Sequence, residues 1–146
     1  MIEILNLTEI IVRLSFLKKV AKTVLREEGI EGKLSLVLVE SDRIKEFNKK
    51  YRKKDFPTDV LSFGQFDDSG FVLPVEENNQ GEIVICPEQV KNNAEKLGIA
   101  FEEELINILI HGILHVLGYS HEGTKTKRVK MFNKQRYYLE KCLKIA

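Results

Sequence analysis

The chain has 146 residues, 43% apolar and 31% charged, with a formal net charge of +1 and only two cysteines. That is the size of one ordinary domain, long enough to bury a single core without disulfide staples, so residues 1–146 are read as one domain. No apolar run approaches the ~20 residues of a membrane span, the start MIEILNLTEI lacks the basic region and cleavage site of a secretory leader, and unpatterned cysteines suit a reducing compartment, so the expectation is a cytoplasmic protein without a membrane partner.

In chain order, Ile2 and Ile4 alternate with polar neighbours as in a short strand. Ile10, Leu14, Leu17, Ala21 and Val24 recur at helical spacing, and Gly29 closes that helix. Residues 33–40, KLSLVLVE, are apolar on both faces, which suits a strand covered by helices on both sides. Ser41 is placed to cap a helix carrying Ile44, Phe47 and Tyr51. A second strand is read at 60–63, a hairpin turn at 67–70, and a third strand at 82–86. Pro87 then opens a helix with Val90, Ala94 and Leu97 that stops at Gly98. The histidine-bearing helix follows, with Glu102, Glu103 and Glu104 at its positive end. A last helix over 124–145 is expected to bury Val129, Phe132, Leu139 and Leu143. The expected fold is α+β, one domain with a mixed sheet of about four strands and helices packed on it; strand order is not legible.

The near-zero net charge hides an asymmetry. Residues 124–146 hold eight Lys or Arg against one acid, Glu140, and a second cluster, KKYRKK, spans 49–54. Most such runs are solvated faces, but two of them in a balanced chain favour a polyanionic partner.

All three histidines fall within residues 111–121. His111 and His115 lie four apart in the nearly continuous apolar stretch 105–117, so on a buried helix they share a face about 6 Å apart along the axis. Gly118 follows, where a left-handed residue commonly ends a helix, and the reversal can return His121 to the same ion. The spacing matches the metzincin pattern H-E-x-x-H-x-x-G-x-x-H except that Gly112 stands where the general-base glutamate belongs. A metal clamp is therefore written in and the peptidase base written out. Three neutral imidazoles leave a divalent ion its full charge and an open position, as in catalytic zinc sites, whereas closed structural sites usually have four protein ligands. One expects one Zn²⁺ per chain, at the end of a central buried helix.

Residues 48–63, NKKYRKKDFPTDVLSF, carry more polar chemistry than a connector needs. Arg52 could clamp a phosphate with its planar fork. Taken alone, though, a surface role for Arg52 and turn chemistry for Thr58 and Asp59 are the better readings.

Here a resemblance adds to the residues. HGILHVLGYSH is similar to the HGxLHLxGYDH signature of the YbeY proteins, bacterial metal-dependent endoribonucleases and ribosomal RNA maturation factors; YRKKDFPTDVLSF and QGEIVIC resemble their other two signatures. The resemblance implies a zinc site at His111, His115 and His121, a functional Arg52, and a positively charged cleft. It implies cleavage of single-stranded RNA, maturation of the 3′ end of small-subunit ribosomal RNA, and ribosome quality control. On this reading Arg52, His111 and His115 are catalytic, Arg52, Lys53 and Lys54 bind RNA, and ribosomal RNA and the ribosome are partners. Three positions depart from the pattern: Ser120 replaces Asp, Gly64 replaces a common Pro, and Glu82 replaces Asp. Two other classes stay open, a ribosome-binding assembly factor in which zinc only fixes the fold, and a small-substrate zinc hydrolase, which Gly112 weakens.

Overall fold

The computed structural model describes residues 1–64, 79–120 and 123–145, and the expected turn at 67–70 lies outside them. The elements run β1 (Ile2–Asn6), α1 (Leu14–Glu27), β2 (Lys33–Leu38), α2 (Ser41–Arg52), β3 (Val60–Gly64), β4 (Asn79–Ile85), α3 (Pro87–Leu97), α4 (Phe101–Val116) and α5 (Lys125–Lys144). The four strands form one sheet in the order β1-β2-β4-β3. β1, β2 and β4 are mutually parallel in that order, and β3 returns antiparallel along β4 with Ser62 opposite Ile83. The expected mixed sheet of four strands is thus present.

Alternation along β2 sorts the two faces. Leu34, Leu36 and Leu38 are buried with α1, α4 and α5 in the larger core, while Val37 turns to the smaller cluster under α2, with Ile44, Leu61, Phe63 and Val84. Helices cover both faces, as the apolar run of β2 implies, but one cover is much thinner than the other.

α4 lies at the centre of the larger layer, in contact with α1, α3, α5, β3 and β4. Ten of its sixteen residues are buried, including Leu105, Ile106, Leu109, Ile110, Ile113 and Leu114. Each fully buried Leu or Ile contributes about 2 kcal/mol, so the helix is held firmly in rotation as well as in place. Its end is a glycine-terminated reversal: Gly118, at φ 98°, lets its own N–H donate to His115 O (3.0 Å) and Tyr119 N–H to Leu114 O (2.9 Å).

Three local expectations are corrected. Ile10 precedes α1, because Asn6 and Thr8 fold the chain back on their side chains, Asn6 Nδ2 donating to Ile10 O and Thr8 Oγ1 accepting from Ile10 N–H. Ser41 is the first residue of α2 and does not cap it; its hydroxyl donates to Glu88 Oε2 at 2.9 Å, tying α2 to the start of α3. On α5, Val129 and Phe132 are exposed, and the buried residues are Met131, Tyr138 and Cys142. Cys86 and Cys142 are both buried, unbridged thiols. Among the described residues no helix is long and apolar enough to cross a membrane.

Candidate active site

The buried wall of α4 has one gap. Between Glu104 and Val116 every residue is buried except Asn107, His111 and His115, which recur every four positions and make a single half-exposed polar stripe. The His111 and His115 rings lie with centroids 4.6 Å apart at 68°. Two imidazoles sharing one ion at about 2.1 Å have centroids at most roughly 6–7 Å apart, and the separation of this pair lies within that limit. His121, the third expected ligand, lies outside the described residues, and among the described residues no group of three His, Cys, Asp or Glu is placed to hold a metal.

His111 Nδ1 lies 3.1 Å from Gln135 Oε1, on α5. Gln135 Nε2 donates to Asn107 Oδ1 (2.9 Å), and Asn107 Nδ2 donates to Glu104 Oε1 (3.3 Å). Glu104, expected only to face a helix dipole, is 4% exposed. Burial raises its pKa above the ordinary carboxylate value, the Asn107 hydrogen bond opposes this, and the nearby Asp59 and Glu103 charges reinforce it. Sequence reasoning missed Gln135, Asn107 and Glu104. The four-residue spacing of Asn107, His111 and His115 is a signal that could have found the stripe; nothing local marks Gln135.

Gly112 shows why no glutamate follows His111. A Cβ there would stand 3.1 Å from Ile83 Cγ2 and 3.3 Å from Ser62 Oγ, so α4 rests directly on β3 and β4 at this turn. Gly64 is equally confined, with Gln80 O and Val116 O each 3.2 Å from an added Cβ.

Arg52 ends α2 and reaches β3, which among the described residues pairs with β4 alone. Its Nη2 donates to Ser62 O at 2.9 Å, and the guanidinium carbon sits 5.1 Å from the centre of the Phe63 ring. Ser62 therefore touches the arginine through its carbonyl and borders the histidine helix through its hydroxyl. Lys53, at φ 58° the single non-glycine left-handed residue among those described, reverses the chain, and Asn48 Nδ2 holds the turn through Phe56 O at 2.8 Å. Lys53 and Lys54 are left exposed. Thr58 Oγ1 donates to Asp59 Oδ1 at 3.3 Å, and Asp59 Oδ2 accepts from Asn93 Nδ2 at 3.0 Å.

A second polar centre fixes the chain just before His121. The Glu28 carboxylate, 8% exposed, accepts from Tyr119 (2.6 Å), Lys134 (3.0 Å) and Tyr138. Burial alone would raise the pKa of Glu28, but these three hydrogen bonds and the Lys134 charge outweigh it and hold it below the usual value. Part of the basic tail is paired with acids, Lys134 with Glu28, Lys141 with Glu27 and Arg136 with Glu140 on its own helix.

A family model described as endoribonuclease YbeY matches residues 6–143. The chain belongs to the endoribonuclease YbeY family. It is 46% identical over 106 residues to the endoribonuclease YbeY of Thermotoga neapolitana, a match covering 73% of this chain and 64% of that protein, just under two thirds of its length. It is 42% identical to the YbeY of Petrotoga mobilis over 88% of this chain and 85% of that one. A solution structure of a Thermotoga maritima protein superposes with TM-score 0.68 at 36% identity, covering 97% of this chain and 89% of that one. YbeY membership thus rests on a match over most of the chain and on the layered fold.

Proposed function

We propose that this protein is a zinc-dependent endoribonuclease that cleaves single-stranded RNA, and that it acts in the cytoplasm in maturing the 3′ end of small-subunit ribosomal RNA and in ribosome quality control. The observation that carries the reading is the meeting of α4 and β3: two convergent histidines border Gly112, and Gly112 faces the residue to which Arg52 is tied. The family likeness supports RNA as substrate.

In this reading His111, His115 and His121 hold one Zn²⁺. When bound, the ion supplies Lewis-acid polarisation of a phosphate oxygen. The guanidinium of Arg52, its plane set by Ser62 O and Phe63, stabilises charge that grows on the phosphoryl group during cleavage. Lys53 and Lys54, exposed on the turn beyond Arg52, bind flanking phosphates without reading sequence. Gly112 puts no carboxylate beside the ion, which removes the base a metzincin peptidase uses.

The test pairs metal analysis with cleavage of a defined single-stranded RNA, with and without chelator. About one zinc per chain, lost together with cleavage in His115→Ala, is expected. Stoichiometric metal retained in His115→Ala, or wild-type cleavage indifferent to chelator, sinks the reading. Bound metal without cleavage would instead make the protein a ribosome-binding factor.

A further inference from the structure

The inward face of α5 carries Met131, Tyr138 and Cys142, all buried, and among them at helical spacing stands Gln135. A carboxamide half-buried there costs stability unless it is hydrogen-bonded, and a leucine or methionine would pack at no such cost. Gln135 is bonded at both ends, to His111 and to Asn107.

The direction of those bonds is determined from the far end. Asn107 Nδ2 can only donate, and it does so to Glu104 Oε1, so Asn107 Oδ1 is the acceptor for Gln135 Nε2. Gln135 then presents its oxygen to His111, and a carboxamide oxygen only accepts. His111 must donate from Nδ1, which in the neutral imidazole leaves Nε2 as the unprotonated nitrogen, the one able to ligate an ion.

We propose that Gln135 is a positioning residue that holds His111 in its Nδ1–H tautomer and fixes its ring, with Asn107 and the buried Glu104 fixing Gln135 in turn. This extends the proposed function, because it rests on His111 being a zinc ligand. It is the arrangement by which ligating histidines commonly donate their second N–H to an oxygen, with two amides inserted before the carboxylate.

The experiment uses the full chain with ¹⁵N-labelled histidine, at a pH where the imidazoles are neutral. The tautomer of His111 is read from long-range proton–nitrogen spectra of the metal-free protein, and zinc affinity is measured by competition titration on the same samples. Gln135→Met matches the side chain in length and removes the acceptor. It is expected to shift His111 towards the Nε2–H form and to weaken zinc binding about 10- to 100-fold. Gln135→Glu keeps an oxygen opposite Nδ1 and should keep the wild-type tautomer. Asn107→Ala, one link further out, serves as the second variant if Gln135→Met does not fold, and should shift the same equilibrium less. An Nδ1–H population and a zinc affinity unchanged within about twofold in the variants would overturn the proposal while leaving the zinc site intact. Conversely, a tautomer that responds to Gln135→Met in a protein that binds no zinc would uphold the positioning role and remove the ion reading.

Discussion

Gly112 and Ser62 face each other across a gap that one methyl group would close, an added Cβ on Gly112 coming within 3.3 Å of Ser62 Oγ. Gly112→Ala sets the better helix propensity of alanine, about 1 kcal/mol, against overpacking of about 1–3 kcal/mol. The expected net loss is about 1 kcal/mol, read as a lowered denaturation midpoint. Gly112→Glu, which restores the metzincin letter, forces a carboxylate against Ile83 and should cost about 3 kcal/mol or more without yielding peptidase activity. A Gly112→Glu protein as stable as wild type would mean that α4 does not rest on β3 as described.

Acid stability should be governed in part by Glu28. Its folded-state pKa is held below the ordinary glutamate value by Tyr119, Tyr138 and Lys134, against the burial that would raise it. A lowered carboxylate contributes stability that is present above its unfolded pKa and disappears as pH falls through the folded one. Glu28→Gln should therefore lower stability at neutral pH by about 2 kcal/mol and flatten the acid limb of the stability profile. Parallel acid limbs in the two proteins would refute this.

Glu82 should behave with the opposite sign. Burial pushes its carboxyl up, so its contribution is fully present below the unfolded pKa and is lost as pH rises through the folded value. Glu82→Gln is expected to be neutral or stabilising at pH above that window, measured by thermal melts across pH. A marked loss at neutral pH would show that the ionised form is bound by a partner.

Basic residues should divide into two classes in salt titrations of RNA binding. Lys53 sits at a left-handed φ that asparagine tolerates, so Lys53→Asn with Lys54→Gln removes charge with little strain. Binding should weaken about equally for all sequences, and the salt slope should shrink by roughly one to two. Lys141, paired with Glu27 at 2.8 Å, should contribute much less to the slope when neutralised. Equal slopes for the double variant and the Lys141 variant would contradict the division.

Arg52→Lys keeps the charge but loses the fork that grips Ser62 O and lies near Phe63. Turnover in single-turnover cleavage should fall about 10²- to 10³-fold with zinc content unchanged and stability lowered by no more than about 1 kcal/mol. A rise in the Michaelis constant at fixed turnover would reassign Arg52 to substrate holding.

Much of this arrangement was legible in the residues. The apolar runs of β2 and β4, Pro87 at the start of α3, and the glycines after α1, α3 and α4 carry local signals, and each lies where expected. The face of α5 was misread because apolar periodicity counts Val129 and Phe132, whereas the inward face is chosen by contact with α4 and includes the polar Gln135. Glu28 was missed because its partners Tyr119 and Tyr138 stand 91 and 110 positions away, and only the folded chain brings them to one carboxylate. The resemblance singled out Arg52, while its hydrogen bond to Ser62 O could be seen only once the fold laid the end of α2 beside β3.

Strand order also sets a timetable. β3 pairs only with β4 among the described residues, and β4 is separated from it in the chain by residues 65–78. A nascent chain emerges from its N-terminus at about 5–20 residues per second, so Arg52 and Ser62 leave the ribosome ahead of β4, the strand that pairs with β3. The histidines come later still, and Gln135 after them. A chain released early by stalled translation would hold the cationic turn but no assembled centre.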